Sequence, residues 1–229
     1  MEIKPPRGLA CLTYSREAAR EFQHRLKLMG LVERHAVFLG TVHSFCLSEI
    51  LIPFSKLYIQ YGIPYPIKII SSSPKRTLFQ EIKNRVGEER LSMEEMDKER
   101  TRDISGFSKV SIPSYDAALE AAVFFEKELS RKGYIDYITM VKTATLLIQH
   151  EEYVRKALEA KFPWLIIDEY QDLGKPLHEM VLGFLHNTDI KIFTVGDADQ
   201  SIYDFQGASP EYLIELSQDE LGAVFKILT

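Results

Sequence analysis

The stretch Trp164-Leu165-Ile166-Ile167-Asp168-Glu169-Tyr170-Gln171-Asp172 constrains this chain more than any other. A short apolar run rich in β-branched residues reads as a strand buried on both faces, the kind that parallel sheets contain. The run stops at two adjacent acids. Asp168 and Glu169 therefore stand at its carboxyl end, where open α/β sheets hold their ligands. A second run of the same kind, Ile192-Phe193-Thr194-Val195, stops at Gly196-Asp197-Ala198-Asp199-Gln200. Two neighbouring strands of this type deliver Asp168, Glu169, Asp197 and Gln200 to one sheet edge, an arrangement suited to Mg²⁺ and a nucleotide phosphate. Taken singly, the same acids are also ordinary helix caps and turn residues.

At 229 residues the chain can bury a sizeable core, in one domain with an insertion or in two small ones. A net charge of −5 argues against a broad electrostatic grip on nucleic acid. It leaves room for a local track of aromatic side chains, because base stacking needs rings more than net charge. Cys11 and Cys46 sit in apolar surroundings with no CxxC spacing, which points to buried reduced thiols in a cytoplasmic protein. No apolar run approaches the ~18 residues of a membrane span, and the first residues do not read as a signal peptide.

Along the chain, Leu9 to Tyr14 is a strand, and Ser15 caps a helix from Arg16 to about Met29, closed by Gly30. Ala36 to Leu39 is a short strand, followed by a helix from about His43 to Tyr58. Ile67 to Ile70 reads as a further strand after Gly62, Pro64 and Pro66. Residues 71–133 change character: helix formers and alternating charge dominate, with nine basic and eight acidic residues between Pro74 and Lys109. So balanced a mixture reads as a solvated helix face. Helices are expected from Ser114 to Lys132, from Asp136-Tyr137 to Ile148, from Glu151 to Ala160, over 175–186 and from Ser209 to about Leu216, with a final strand at Val224 to Leu228.

Ile167-Asp168-Glu169-Tyr170-Gln171-Asp172 resembles the Walker B motif (motif II) of the UvrD/Rep-type superfamily 1 DNA helicases. Val195-Gly196-Asp197-Ala198-Asp199-Gln200-Ser201-Ile202-Tyr203 resembles their motif III, the most specific of the matches. Leu12 to Ala19 is similar to motif Ia, and Gly40-Thr41-Val42-His43-Ser44-Phe45 to the next DNA-contacting motif. Four motifs in family order imply an α/β fold: a RecA-like parallel sheet flanked by helices, of the P-loop NTPase type, with an inserted all-helical subdomain. The implied division is residues 1–70 and 134–229 for the RecA-like domain (1A) and 71–133 for the helical insertion (1B).

The resemblance also implies roles. Asp168 would hold Mg²⁺ through water, Glu169 would orient and deprotonate the attacking water, and Gln200 would sense the terminal phosphate of ATP. Gln171 would link the nucleotide to the DNA site, with Asp197 beside it. Single-stranded DNA would meet Tyr14, Thr41, His43 and Ser44, and would stack on Tyr203 and Phe205 beside Gln206. The complete protein would then be an ATP-dependent helicase moving 3′ to 5′ and unwinding duplexes, in DNA repair, replication or recombination, with ss/ds junctions and the remaining helicase domains as partners.

Several features depart from the family pattern. Gln206 and Phe205 stand where the family usually has Arg and Trp, and Arg16-Glu17 where it usually has Asn-Lys, which weakens the expected DNA grip. No GxxxxGK[ST] phosphate loop is present; Gly174-Lys175 runs into Pro176 and lacks the preceding glycine. The chain therefore reads as a piece of a motor, inactive as an ATPase alone, with a gap in its sheet that a homodimer would fill. Two alternatives stand beside this reading: the helicase part of a helicase–nuclease, and a non-catalytic DNA- or protein-binding platform.

Overall fold

A computed structural model describes residues 6–30, 37–102, 116–197 and 211–218. Four parallel strands form one sheet in the order β2-β1-β3-β4: β1 Leu9–Thr13, β2 Val37–Thr41, β3 Trp164–Ile167 and β4 Lys191–Thr194. Parallel order requires crossover connections, and helices supply them. α1 (Arg16–Leu28) links β1 to β2. Ser15 caps it by accepting the amide of Ala18 at 3.0 Å, and Gly30 closes it with φ 79°. α9 (Lys175–Asn187) links β3 to β4.

The expected gap in the sheet is absent among the described strands. β1 pairs directly with β3, Leu9 opposite Trp164 through Leu12 opposite Ile167, so no strand is left out between them. The open side is instead β4, where Phe193 and Val195 are exposed.

After β2 the expected helix is present as one continuous helical run, but its middle turn is π-helical and it ends at Phe54. α2 (Val42–Phe45) runs into a π-helical turn, Cys46–Leu51, and then α3 (Ile52–Phe54). Pro53 has no amide to donate and its ring crowds the carbonyl four residues back, which fits a shift of register just before it. The strand expected at Ile67–Ile70 reduces to one parallel bridge between Ile69 and Ile135. Pro64 and Pro66 leave too short a free stretch for a ladder. The bridge joins the two points where the chain leaves and re-enters the sheet layer, with the Ile70 amide on the Ile135 carbonyl at 2.9 Å.

Between those points lie α4 (Ser72–Val86), α5 (Met93–Arg102) and α6 (Ala117–Arg131), packed about a core of their own that includes Leu78, Phe79, Ile82, Met96 and Phe125. The main core lies against the sheet and includes Leu12, Phe45, Ile167, Tyr170 and Phe184. α7 (Tyr137–His150) and α8 (Glu152–Lys161) return the chain to β3. α7 and α9 pack closely: a Cβ on Gly183 would lie 3.0 Å from Ile148 Cγ2. α10 (Glu211–Gln218) packs on α9 through Tyr212, whose ring stacks on His178 at 4.7 Å. The expected strand at 224–228 and the cap at Ser209-Pro210 lie outside the described residues. Among the described residues no helix is long and apolar enough to cross a membrane.

Candidate functional site

The carboxyl end of β3 carries the acids. The Asp168 amide still donates to Leu12 O of β1 at 2.9 Å, so the strand's pairing holds its backbone in place. At Glu169 the chain turns sharply, with φ 57° and ψ 47°, the only non-glycine with positive φ among the described residues. A side chain pays no such conformation lightly: left-handed backbone costs a β-carbon-bearing residue on the order of 1 kcal/mol or more. Glu169 precedes a 3₁₀ turn at Tyr170–Asp172.

Neighbouring backbone holds this turn. The Tyr170 amide donates to Val195 O at 2.9 Å, and Tyr170 is fully buried, its hydroxyl 2.9 Å from His178 Nδ1. Gln171 is buried and spans the two strand ends. Its Nε2 donates to Glu169 Oε2 at 2.6 Å and its Oε1 accepts the Asp197 amide at 3.0 Å. Gly196 makes room for this bridge: a Cβ there would lie 2.8 Å from Gln171 Oε1 and 3.3 Å from its backbone nitrogen.

The electrostatics mark the end of β3 as short of positive charge. Burial, then the neighbouring Glu169, push the Asp168 carboxyl above its ordinary value. The same two causes, in the same order, push up Asp172. Among the described residues no group of three or more His, Cys, Asp or Glu converges to hold a metal. Two carboxylates without a cage suit Mg²⁺, which takes one or two protein oxygens and completes its octahedron with water and phosphate.

A second region lies apart from these acids. A cleft of about 680 Å³ opens between the carboxyl ends of β1 and β2 and the helical excursion. Tyr14, Thr41, His43 and Tyr137 line it from the sheet side, and Lys75 and Lys98 from α4 and α5. His43 stands between two rings, with centroids 6.4 Å from Tyr14 and 5.1 Å from Tyr137, both edge to face. Burial pushes the His43 imidazole below its ordinary value, Asp136 opposing and Arg16 assisting, which keeps it neutral at pH 7. Thr41 and Ser44 are engaged in capping α2: Thr41 Oγ1 accepts the Ser44 amide at 3.2 Å, and Ser44 Oγ donates to Thr41 O at 2.7 Å. The loop that begins at Asp168 ends at Gly174, which with Pro176 in the first turn of α9 also lines the cleft, so one short segment touches both regions.

The structure thus brings Asp168, Glu169, Gln171 and Asp197 to one sheet edge and Tyr14, Thr41 and His43 to the cleft, while Ser44 is bonded to Thr41 and does not line it. Gln200, Tyr203, Phe205 and Gln206 lie outside the described residues. Sequence reasoning missed Tyr137, half-exposed and in ring contact with His43. Its one sequence feature, the place directly after the helix cap Asp136, carries no pattern by itself.

A parallel sheet whose strands end in acids, crossed over by helices and carrying a helical excursion, defines a RecA-like α/β motor-type domain. The model of the UvrD/REP helicase N-terminal domain matches residues 1–220, and the chain belongs to that family. It is 27% identical over 226 residues to ATP-dependent DNA helicase Rep of Escherichia coli (strain K12), covering 93% of this chain and 32% of the relative. It is 23% identical over 231 residues to ATP-dependent DNA helicase PcrA of Staphylococcus epidermidis, covering 93% and 30%. PcrA of Staphylococcus aureus (strain Mu50) is 22% identical over 239 residues, covering 96% and 31%. The chain spans about a third of the length of these curated relatives.

Proposed function

We propose that this chain is part of an ATP-dependent DNA helicase, in which ATP hydrolysis at the ends of β3 and β4 drives 3′ to 5′ movement along single-stranded DNA lying in the aromatic cleft. The observation that carries the reading is the Gln171 bridge, which ties Glu169 on one strand end to the Asp197 amide on the next. A nucleotide seated there would be felt by both loops at once. The names of the relatives support ATP and DNA as ligands.

Asp168 would hold Mg²⁺, and the cation would neutralise phosphate charge and the crowding of Asp168 against Glu169. Glu169, exposed at the turn after β3, orients a water and takes its proton. Gln171 holds the Glu169 carboxylate in place, and Gln200 contacts the terminal phosphate. In the cleft, Tyr14 and Tyr137 stack bases, with neutral His43 buttressing both rings. A phosphate would draw the Thr41 and Ser44 hydroxyls out of the cap they form at the start of α2, and Tyr203, Phe205 and Gln206 extend the track.

The test is ATP hydrolysis, with and without single-stranded DNA, by the product of the full reading frame containing these residues. DNA-stimulated turnover that Glu169→Gln abolishes is the expected result. Turnover unchanged in Glu169→Gln would overturn the assignment, and no turnover at all would favour a binding platform. The 229-residue chain by itself is expected to show no useful turnover.

A further inference from the structure

Six charged side chains meet where the helical excursion rests on α7. Arg100 of α5 is fully buried, and its guanidinium forks onto Asp136, Nη1 to Oδ2 and Nη2 to Oδ1, both at 2.8 Å. Nη1 also donates to Asp97 Oδ1 at 2.7 Å, and Nε reaches Glu126 Oε1 at 3.4 Å. That same Glu126 oxygen accepts from Lys142 Nζ at 2.8 Å, and Lys142 too is fully buried. Lys75 Nζ closes the group, 2.9 Å from Asp97 and 3.1 Å from Asp136. Three cations thus face three carboxylates, drawn from α4, α5, α6, α7 and the residue before α7.

A buried network of this kind is a weak source of stability compared with apolar packing of the same volume. Its distinctive property is geometric. A bidentate guanidinium–carboxylate pair admits a narrow range of distance and angle. Thr139 tightens the fork further, accepting from Arg100 Nη2 at 3.1 Å and donating to Asp136 Oδ1 at 2.9 Å. The Arg100 guanidinium also lies over the Phe125 ring, 4.8 Å from its centroid.

The residue held by this fork starts a helix. Asp136 accepts the Thr139 amide at 3.0 Å as the N-cap of α7, and the first residue of α7 is Tyr137. Tyr137 stands in the cleft with its ring against His43. We propose that Arg100, which does not line the cleft but pairs behind its wall with Asp97 and Asp136, is a positioning residue for it: clamped on Asp136, it fixes the start of α7 and so the place of the Tyr137 ring beside His43. The inference rests on the reading that the cleft holds single-stranded DNA. Arg100 touches no ligand; it acts through Asp136 and Tyr137.

The test is a double-mutant cycle read by fluorescence anisotropy of a labelled oligothymidylate against the 229-residue chain at low salt. Tyr137→Ala is expected to weaken binding about tenfold, the loss of one stacked base. Arg100→Lys keeps the charge but not the fork, and is expected to weaken binding by roughly threefold in the otherwise unaltered chain. In the Tyr137→Ala background it should add nothing, because the residue it positions is gone. The slope of log affinity against log salt should be the same in all four proteins, since no phosphate contact is lost. Thermal unfolding checks each variant. If Arg100→Lys does not fold, Thr139→Val, which removes only the hydroxyl that braces the fork, is expected to show the same non-additivity.

Multiplicative losses, or full affinity in Arg100→Lys while Tyr137→Ala weakens binding, would overturn the positioning role and leave the cleft reading standing. No binding by the unaltered chain, or full affinity in Tyr137→Ala, would overturn both.

Discussion

Replacing Arg100 by alanine tests whether the ionic cluster joins the two cores into one cooperative unit. Arg100 is fully buried, Asp136 and Glu126 nearly so. Removing one partner of a buried, hydrogen-bonded pair costs about 3–5 kcal/mol, because the remaining carboxylates keep their desolvation penalty without their counter-charge. Folding stabilities of single domains are on the order of 5–15 kcal/mol, so the loss is a large fraction of the whole. It should also be local. The cluster lies where α5 and α6 meet α7, whereas Trp164, the single tryptophan, is half-buried at the start of β3 with Lys191 over its ring. Urea unfolding followed by Trp164 fluorescence and by far-ultraviolet circular dichroism should give one midpoint in the unaltered chain. In Arg100→Ala the circular dichroism should begin to fall at lower urea than the fluorescence, as the excursion melts ahead of the sheet. Arg131→Ala is the control: Arg131 pairs with Glu128 on an exposed helix face and its removal should leave both midpoints in place. Coincident and unshifted transitions in Arg100→Ala would refute the claim that these charges hold the layers together.

Acid should act through the same cluster. Burial alone would push the Asp136 carboxyl up, but Arg100, with Lys75 and the Thr139 amide, holds it well below the ordinary carboxylate range. A depressed carboxyl contributes its stability fully above its unfolded value of about 3.9, and loses it as pH falls below that value toward the folded one. Asp136→Asn should therefore flatten the fall in stability below about pH 4, measured as urea midpoint against pH; an unchanged slope would contradict the assignment. At the sheet edge the sign is opposite. Asp168 is raised by burial and by Glu169, so its charge costs stability at neutral pH. Asp168→Asn should raise Tm at pH 7 by no more than about 2–4 °C, the equivalent of about 1 kcal/mol at this length, and a fall would show that the carboxylate is compensated after all.

The parts of the fold that follow from local chemistry were legible in the sequence. The strands at Leu9–Thr13 and Trp164–Ile167, the caps Ser15 and Asp136, and the acids at the end of β3 are each written within a few residues. What escaped depends on distant partners. Residues 74–109 read as a solvated charged face, yet Arg100 is fully buried, because its carboxylates at 126 and 136 come from elsewhere in the chain. Ile67–Ile70 has strand composition but finds only Ile135 to pair with. Tyr137 was passed over because one aromatic at a helix start carries no pattern, and its meaning appears only once His43 stands beside it. The bridge through Gln171 was invisible for a related reason: the sequence supplies the glutamine, but the packing of β3 beside β4 supplies what it spans.

The single bridge at Ile69 and Ile135 has a consequence for how such a chain can change. The stretch between them departs and returns through two points one hydrogen bond apart. To the sheet, the whole excursion is therefore a side loop whose ends are already closed, and the closure entropy grows only slowly with what is threaded between them. Length and content there are free to drift without disturbing strand order, provided a cation still arrives to meet Asp136. One guanidinium, more than sixty residues of connecting chain, is the toll gate for variation in the layer above the cleft.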